Sequence, residues 1–188
     1  MTTITEELKK EIAEYFISDS KEYLFRYQKL KEYQTQISNR SKLMIDIIFS
    51  IECSLKALIF IESTEDEKAT YKKIKTHNLK YLFDLVSNKS EFSELEQLLN
   101  ENIELYDVSS RYTLEANINF RENNILGELY YDTIANFLWL DNLHDIALSL
   151  LNIIESKMGF EFTILSFSDI DLEKEIERAN RINNISKK

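Results

Sequence analysis

The chain has 188 residues and a formal net charge of −10, with no proline, two glycines and one cysteine. Turn-rich β architectures need frequent glycine and proline, and a disulfide framework needs paired cysteines, so this composition excludes both. The length suits one domain with one well-formed core. The excess of acid repels phosphate backbones over most of the surface, which argues against non-specific nucleic-acid binding.

The N-terminal third of the chain predicts three helices. A capping box at Thr3 opens a helix that we expect to end near Ile17. A similar start signal at Asp19 predicts a second helix over residues 20–37. The third helix, 40–61, carries apolar residues over more than a third of its circumference, which is typical of the central helix of a bundle.

The remainder of the chain predicts further helices separated by short polar links. In chain order they are a turn capped by Ser63 and Thr64 that runs to Ile74, a helix capped by Thr76, a helix or helix pair over 92–120, a helix over 128–158 ended by Gly159, and a helix from Asp169 to Asn183. Residues 87–90 predict a polar loop. The alternating apolar pattern of 160–167 predicts an extended arm, or a strand completed by another chain.

These patterns predict an all-α fold, an up-and-down helical bundle of four to five core helices. We expect the bundle to cover residues 20–158, with an added N-terminal helix over 1–19 and an extended arm plus C-terminal helix over 159–188. No apolar run approaches the roughly 20 residues that span a bilayer, and the N-terminus lacks an apolar signal region. The sequence therefore predicts a cytoplasmic protein without a membrane partner, with Cys53 as a core residue.

Three short motifs lie on the predicted helices: Ser-Leu-Lys-Ala-Leu at 54–58, Thr-His-Asn-Leu at 76–79, and Arg-Tyr at 111–112. Together they resemble the HEPN family of all-helical domains, in its nucleotidyltransferase-associated type, over about residues 17–154. Where that type often continues with Pro-Asp, this chain has Thr113-Leu114. The resemblance implies a helical bundle, a homodimer, and a role in a prokaryotic conflict locus, either toxin–antitoxin or antiviral defence.

HEPN ribonucleases place an arginine four to six residues before a histidine, and this chain lacks that spacing. Its only two histidines are His77 and His144, and the corresponding windows before them hold no arginine. We therefore predict no catalytic residues, and a non-catalytic module that binds a protein partner or a nucleotide. The alternative is a HEPN-type ribonuclease with an atypical site made of Arg111 and His77.

Candidate ligand contacts are cationic and aromatic side chains that suit the phosphate groups of a nucleotide or RNA. They are His77, Arg111, Tyr112, Lys72, Lys73 and Lys75. Structural roles compete with this interpretation. His77 can instead satisfy a loop carbonyl, and Arg111 can pair with Asp107 or with Glu115, one helical turn away on either side.

Charge is unevenly distributed along the chain. Residues 21–80 hold twelve Lys and Arg against eight Asp and Glu, whereas residues 81–171 hold four against seventeen. The acidic half predicts a basic protein partner, with Glu94, Glu101 and Glu104 as candidate contacts. A polyanion bound through 21–80 is the competing interpretation. An acidic immunity or antitoxin protein that masks a basic toxin is a third.

Asp141, His144 and Asp145 share one edge of a predicted helix, a grouping that metal ligands can have. A metal site would need further ligands from another helix, and a solvated helix face accounts for the grouping more simply. The sequence has no glycine-rich phosphate loop and no CxxC or HExxH motif. We therefore predict no metal and no cofactor.

Overall fold

The computed structural model describes residues 4–33, 40–101, 131–159 and 172–187. Within those ranges the protein is all-α and contains no strand, and its helices pack as a bundle, as the sequence predicts. The helices are α1 (Ile4–Lys31), α2 (Arg40–Glu62), α3 (Glu67–Ile74), α4 (Leu79–Asp84), α5 (Ser93–Glu101), α6 (Phe137–Met158) and α7 (Leu172–Asn184), with a 3-10 turn (Lys89–Phe92) before α5.

Helix α2 is the centre of the bundle. Sixteen of its 23 residues are buried, and it packs against α1, α3, α4 and α6. The surface of α2 is apolar nearly all round the helix. Burying each leucine or isoleucine side chain stabilises the fold by about 1.5–3 kcal/mol, so the other helices cover α2 on most of its sides. The prediction of a central third helix is confirmed.

Helix α1 is one continuous helix of 28 residues, so the predicted break between Ile17 and Ser20 is wrong. Ser20 is fully buried in the middle of α1, where its hydroxyl lies 2.8 Å from the Ser50 hydroxyl and 2.9 Å from that of Ser54. Ser20 therefore forms hydrogen bonds with α2 and does not start a helix. The helix therefore passes through the expected boundary at residues 19 and 20, and it ends at Lys31, before the predicted end near residue 37.

The starts of α3 and α4 are set by different residues from those predicted. Asp66 caps α3 through a hydrogen bond from the Ala69 amide at 2.7 Å, in place of Ser63 and Thr64. Asn78 caps α4 through a hydrogen bond from the amide of Tyr81 at 2.8 Å. Thr76, the predicted cap, instead accepts a hydrogen bond from the Asn78 amide.

Helix α6 begins later than predicted and ends where predicted. The chain turns at 133–135, and Asn136 caps the helix by accepting a hydrogen bond from the Leu138 amide at 2.9 Å. The predicted single helix over 128–158 is therefore wrong at its start. Gly159 ends α6 in the left-handed conformation, with φ of 54°, as the sequence predicts.

Among the described residues, α6 is the one helix whose length and apolar composition would allow it to cross a membrane. It contributes Leu143, Ala147 and Leu150 to the bundle core and packs against α2. The core therefore accounts for much of its apolar composition.

Several predicted segments fall wholly or partly outside the described residues. These are the arm at 160–167, the cap at Asp169, and the part of the predicted 92–120 helix beyond Glu101. The predicted polar loop at 87–90 is correct only in its first half, because residues 89 and 90 already belong to the 3-10 turn (Lys89–Phe92) that precedes α5. The last helix is present as α7.

Candidate functional site

His77 lies in the link between α3 and α4, one residue before the cap of α4. Its side chain is 66% exposed, and its Nδ1 is 3.0 Å from both carboxylate oxygens of Glu52 on α2. The sequence placed His77 inside the first turn of a helix, which is wrong because the cap is Asn78. The predicted structural alternative, a loop carbonyl, is replaced here by a carboxylate from the central helix.

Glu52 holds two partners at once. Its side chain is only 5% exposed, and its Oε1 accepts a hydrogen bond from Lys56 Nζ at 2.6 Å, one turn along α2. A buried carboxylate needs such compensation, since an unpaired charge away from water is strongly unfavourable. Lys56 supplies the opposite charge, and His77 supplies a second donor from another part of the chain.

The contact fixes which ring nitrogen of His77 carries a proton. A carboxylate only accepts hydrogen bonds, so Nδ1 is the donor toward Glu52, and in the neutral ring Nε2 is left as an acceptor. The exposed ring is thus oriented from behind by α2. The ring of His77 can therefore present Nε2 to a ligand, or accept a proton from that ligand at Nε2.

The predicted lysines lie close to His77 in the chain, around the end of α3. Lys72 and Lys73 occupy its last turn and Lys75 is its C-terminal cap, all with exposed side chains. Lys73 forms an ion pair with Glu65 at 2.8 Å. Cations at the C-terminal end of a helix complement its dipole, so these residues stabilise α3 without any ligand.

Arg111, Tyr112 and Glu104 lie outside the described residues, and with them the geometry of an Arg111–His77 site. Glu101 is the last residue of α5, and Glu94 is exposed in its first turn.

An acidic groove lies between the start of α5 and the outer face of α6. It consists of two adjoining hollows of about 230 and 410 Å³ that share Ser149 and Ile153. The described apolar side chains of the groove come from α5, α6 and the 3-10 turn, namely Phe92, Leu95, Ile146, Leu148, Leu150 and Ile153. Its acidic residues are Glu91, Glu94 and Asp145. Of the predicted partner contacts, Glu94 is therefore part of a defined concave surface.

His144 packs between α6 and α1. It is buried, and its ring stacks on Tyr27 with centroids 5.0 Å apart. Asp141 is engaged separately, by Tyr27 at 2.7 Å and by Lys31 at 2.6 Å. Burial alone would raise the pKa of Asp141, but these hydrogen bonds outweigh it and hold the pKa below its usual value.

The described ranges contain no group of three or more His, Cys, Asp or Glu side chains placed to hold a metal ion. Cys53 lies half-buried on α2. Burial, followed by the nearby charge of Glu52, raises the pKa of its thiol to about 12. Because the thiolate is the reactive form, Cys53 is a poor nucleophile at neutral pH.

Comparison with protein-family models, curated proteins and solved structures finds no match to this chain. The HEPN resemblance therefore stays a prediction.

Proposed function

We propose that the protein is a non-catalytic, HEPN-like binding module of a prokaryotic conflict system, and that it binds a basic protein partner in the groove between α5 and α6. The observation that carries the proposal is a concave surface between two helices with the acids Glu91, Glu94 and Asp145 around it, of which Glu91 is paired with Lys157 at 3.0 Å. The acids would select a partner rich in lysine or arginine, and the exposed side chain of Leu148 would add apolar contact. In this proposal the module is cytoplasmic and homodimeric.

Charge over the wider segment supports the same partner. Residues 81–171 carry a net charge of −13, from four basic and seventeen acidic residues. A segment with this net charge attracts a basic protein over a distance of about 8 Å, the Debye length at physiological ionic strength. Masking of a basic toxin by an immunity or antitoxin protein is one form that this binding would take.

Reversing the charge of the groove should slow association with the partner. The partner is first recovered by affinity purification of the tagged protein and identified by mass spectrometry, and its binding is then measured directly by biolayer interferometry. We expect the double variant Glu94→Lys and Asp145→Lys to reduce the association rate by about tenfold or more. The association rate of the wild-type protein should fall as the salt concentration rises.

The matched control reverses charge elsewhere, with Lys72→Glu and Lys75→Glu. These side chains are exposed at the end of α3, and we expect them to leave binding of the basic partner unslowed. Recovery of RNA or nucleotide that depends on the lysines, with no response to the groove variant, would instead establish polyanion binding.

A ribonuclease is the second candidate, and one observation favours it. Glu52 orients His77 so that Nε2 points away from the carboxylate as a free acceptor, an arrangement compatible with general base chemistry. The binding proposal predicts no cleavage of single-stranded RNA by the purified protein, assayed by gel with and without EDTA. Metal-independent cleavage that disappears in both His77→Ala and Arg111→Ala would establish the ribonuclease.

A further inference from the structure

Helix α7 is attached to the bundle through its basic side chains and, just beyond its end, through Ile185, which packs against the core. Lys174 Nζ lies 2.7 Å from Glu7 of α1, and Arg178 Nε lies 2.7 Å from Glu11 of the same helix. Arg181 Nε lies 2.7 Å from Glu67 at the start of α3. The bases of α7 are therefore turned toward the acids of the bundle.

The opposite face of α7 carries apolar side chains. Leu172 is 72% exposed, Ile176 is 62% exposed, and Ala179 is exposed one turn further on. An α-helix turns by about 100° per residue, so positions 172, 176 and 179 form one stripe, on the side away from the basic residues. No residue of α7 is buried.

This arrangement is the reverse of an ordinary surface helix. A surface helix buries its apolar stripe against the core and turns its charges to water. In α7 the charged side chains hold the helix on the bundle, and the apolar stripe faces outward. The outward stripe is thus unsatisfied by the described part of the protein, and its cost is offset only when something apolar covers it.

The charges beside the stripe identify what would cover it. The spacing of Leu172, Ile176 and Ala179 matches the d, a and d positions of a heptad. In that register Glu173 and Glu175 occupy the flanking e and g positions, where charge selects the partner helix. Glu175 also forms an exposed ion pair with Arg178, at 3.3 Å. The bases lie at c and f, on the side of the bundle. A partner on the stripe therefore meets acids at its edges.

We propose that α7 is a docking helix for a basic amphipathic helix of a protein partner, one with apolar residues at its own a and d positions and lysine or arginine beside them. A second copy of this chain is a poorer occupant, because its stripe is flanked by the same acids. The surface is separate from the groove between α5 and α6, so this inference does not depend on the proposed function.

The bundle prepares α7 for this role. A helix of 13 residues is marginal when isolated in water, whereas the three contacts to α1 and α3 hold this one in place. A partner then binds a helix that is already ordered, which lowers the entropic cost of association. A hollow of about 450 Å³ between α3 and α7 adjoins Ile176 and is also lined by Ile185, which offers room for an apolar side chain.

Two synthetic three-heptad peptides test the proposal. Both carry leucine and isoleucine at a and d, and they differ only in having lysine or glutamate at e and g. Fluorescence anisotropy should show the lysine peptide binding the full chain at least about tenfold more tightly than the glutamate peptide, with the preference shrinking as salt rises.

Three variants locate the binding. Ile176→Asp should weaken the lysine peptide at least about tenfold, whereas Leu138→Asp, at a residue 80% exposed on α6, should not. The pair Glu173→Lys and Glu175→Lys should invert the preference between the two peptides. Circular dichroism and thermal midpoints confirm that each variant remains folded.

Four results would overturn the inference: no binding of the lysine peptide, equal binding of both peptides, binding that ignores Ile176→Asp, or a concentration-dependent dimer that Ile176→Asp abolishes. Peptide binding lost instead in Glu94→Lys with Asp145→Lys would assign the site to the groove. In that case the proposed function would stand and the docking role of α7 would fall.

Discussion

Replacing Glu52 by leucine is expected to lower the free energy of unfolding by about 3–5 kcal/mol. The cost arises because Lys56, whose side chain is nearly buried, would lose the carboxylate that lies 2.6 Å from its ammonium group. An uncompensated charge in that position is far more unfavourable than the loss of the original contact alone. Urea denaturation at neutral pH measures the change.

The double variant Glu52→Leu with Lys56→Met separates the two causes. Removing both charges leaves no unpaired ion, so we expect it to recover most of the lost stability. In both variants His77 loses its orienting partner. If the double variant were as unstable as Glu52→Leu alone, the destabilisation would come from packing around residue 52 and the charge argument would be wrong.

Phe60→Ala should be of similar size, lowering the free energy of unfolding by about 3–5 kcal/mol. The Phe60 side chain is fully buried on α2, and its ring stacks on that of Phe16 with centroids 6.1 Å apart. Truncation removes apolar contact from the centre of the bundle and leaves a cavity. The urea midpoint should fall while the m-value is unchanged.

Phe25→Ala is the matched control for that experiment. Phe25 is the same residue type on α1, but its ring is exposed to solvent. Surface substitutions of this kind usually change stability by no more than about 0.5 kcal/mol. Equal losses for Phe60→Ala and Phe25→Ala would contradict the placement of Phe60 in the core.

The sequence predicts helices well where burial and local signals agree. Apolar residues surround α2 so completely that its central position can be predicted, and Gly159 marks the end of α6 because only a left-handed residue completes that turn without strain. The caps of α3 and α4 were missed by two or three residues, since several serine, threonine, asparagine and aspartate residues lie together in each link.

Prediction fails where distant contacts override local ones. Asp19 and Ser20 have the composition of a helix start, yet α1 continues through them because Ser20 finds its hydrogen-bond partners on α2, thirty or more residues away in sequence. At α6 the error has the opposite sign. Apolar residues before position 137 keep the helical spacing, so the sequence predicts a continuous helix where the structure has a cap at Asn136.

The candidate site was half predictable. His77 can be selected from its motif, but Glu52 stands 25 residues earlier and interrupts an apolar helix like an ordinary polar break. One signal could have identified it: a glutamate on the most apolar helix, with Lys56 one turn later, implies a buried charge that needs partners. The groove could not be predicted, because it depends on how α5 meets α6.

The three serine hydroxyls between α1 and α2 have a consequence for how uniquely the two helices fit together. Leucine and isoleucine side chains tolerate small sliding movements, because apolar contact has little directionality. Ser20, Ser50 and Ser54 are fully buried, so a shift of α1 by one residue would strand their hydroxyls without partners. The cluster therefore adds little net stability, but it makes alternative registers of α1 against α2 unfavourable.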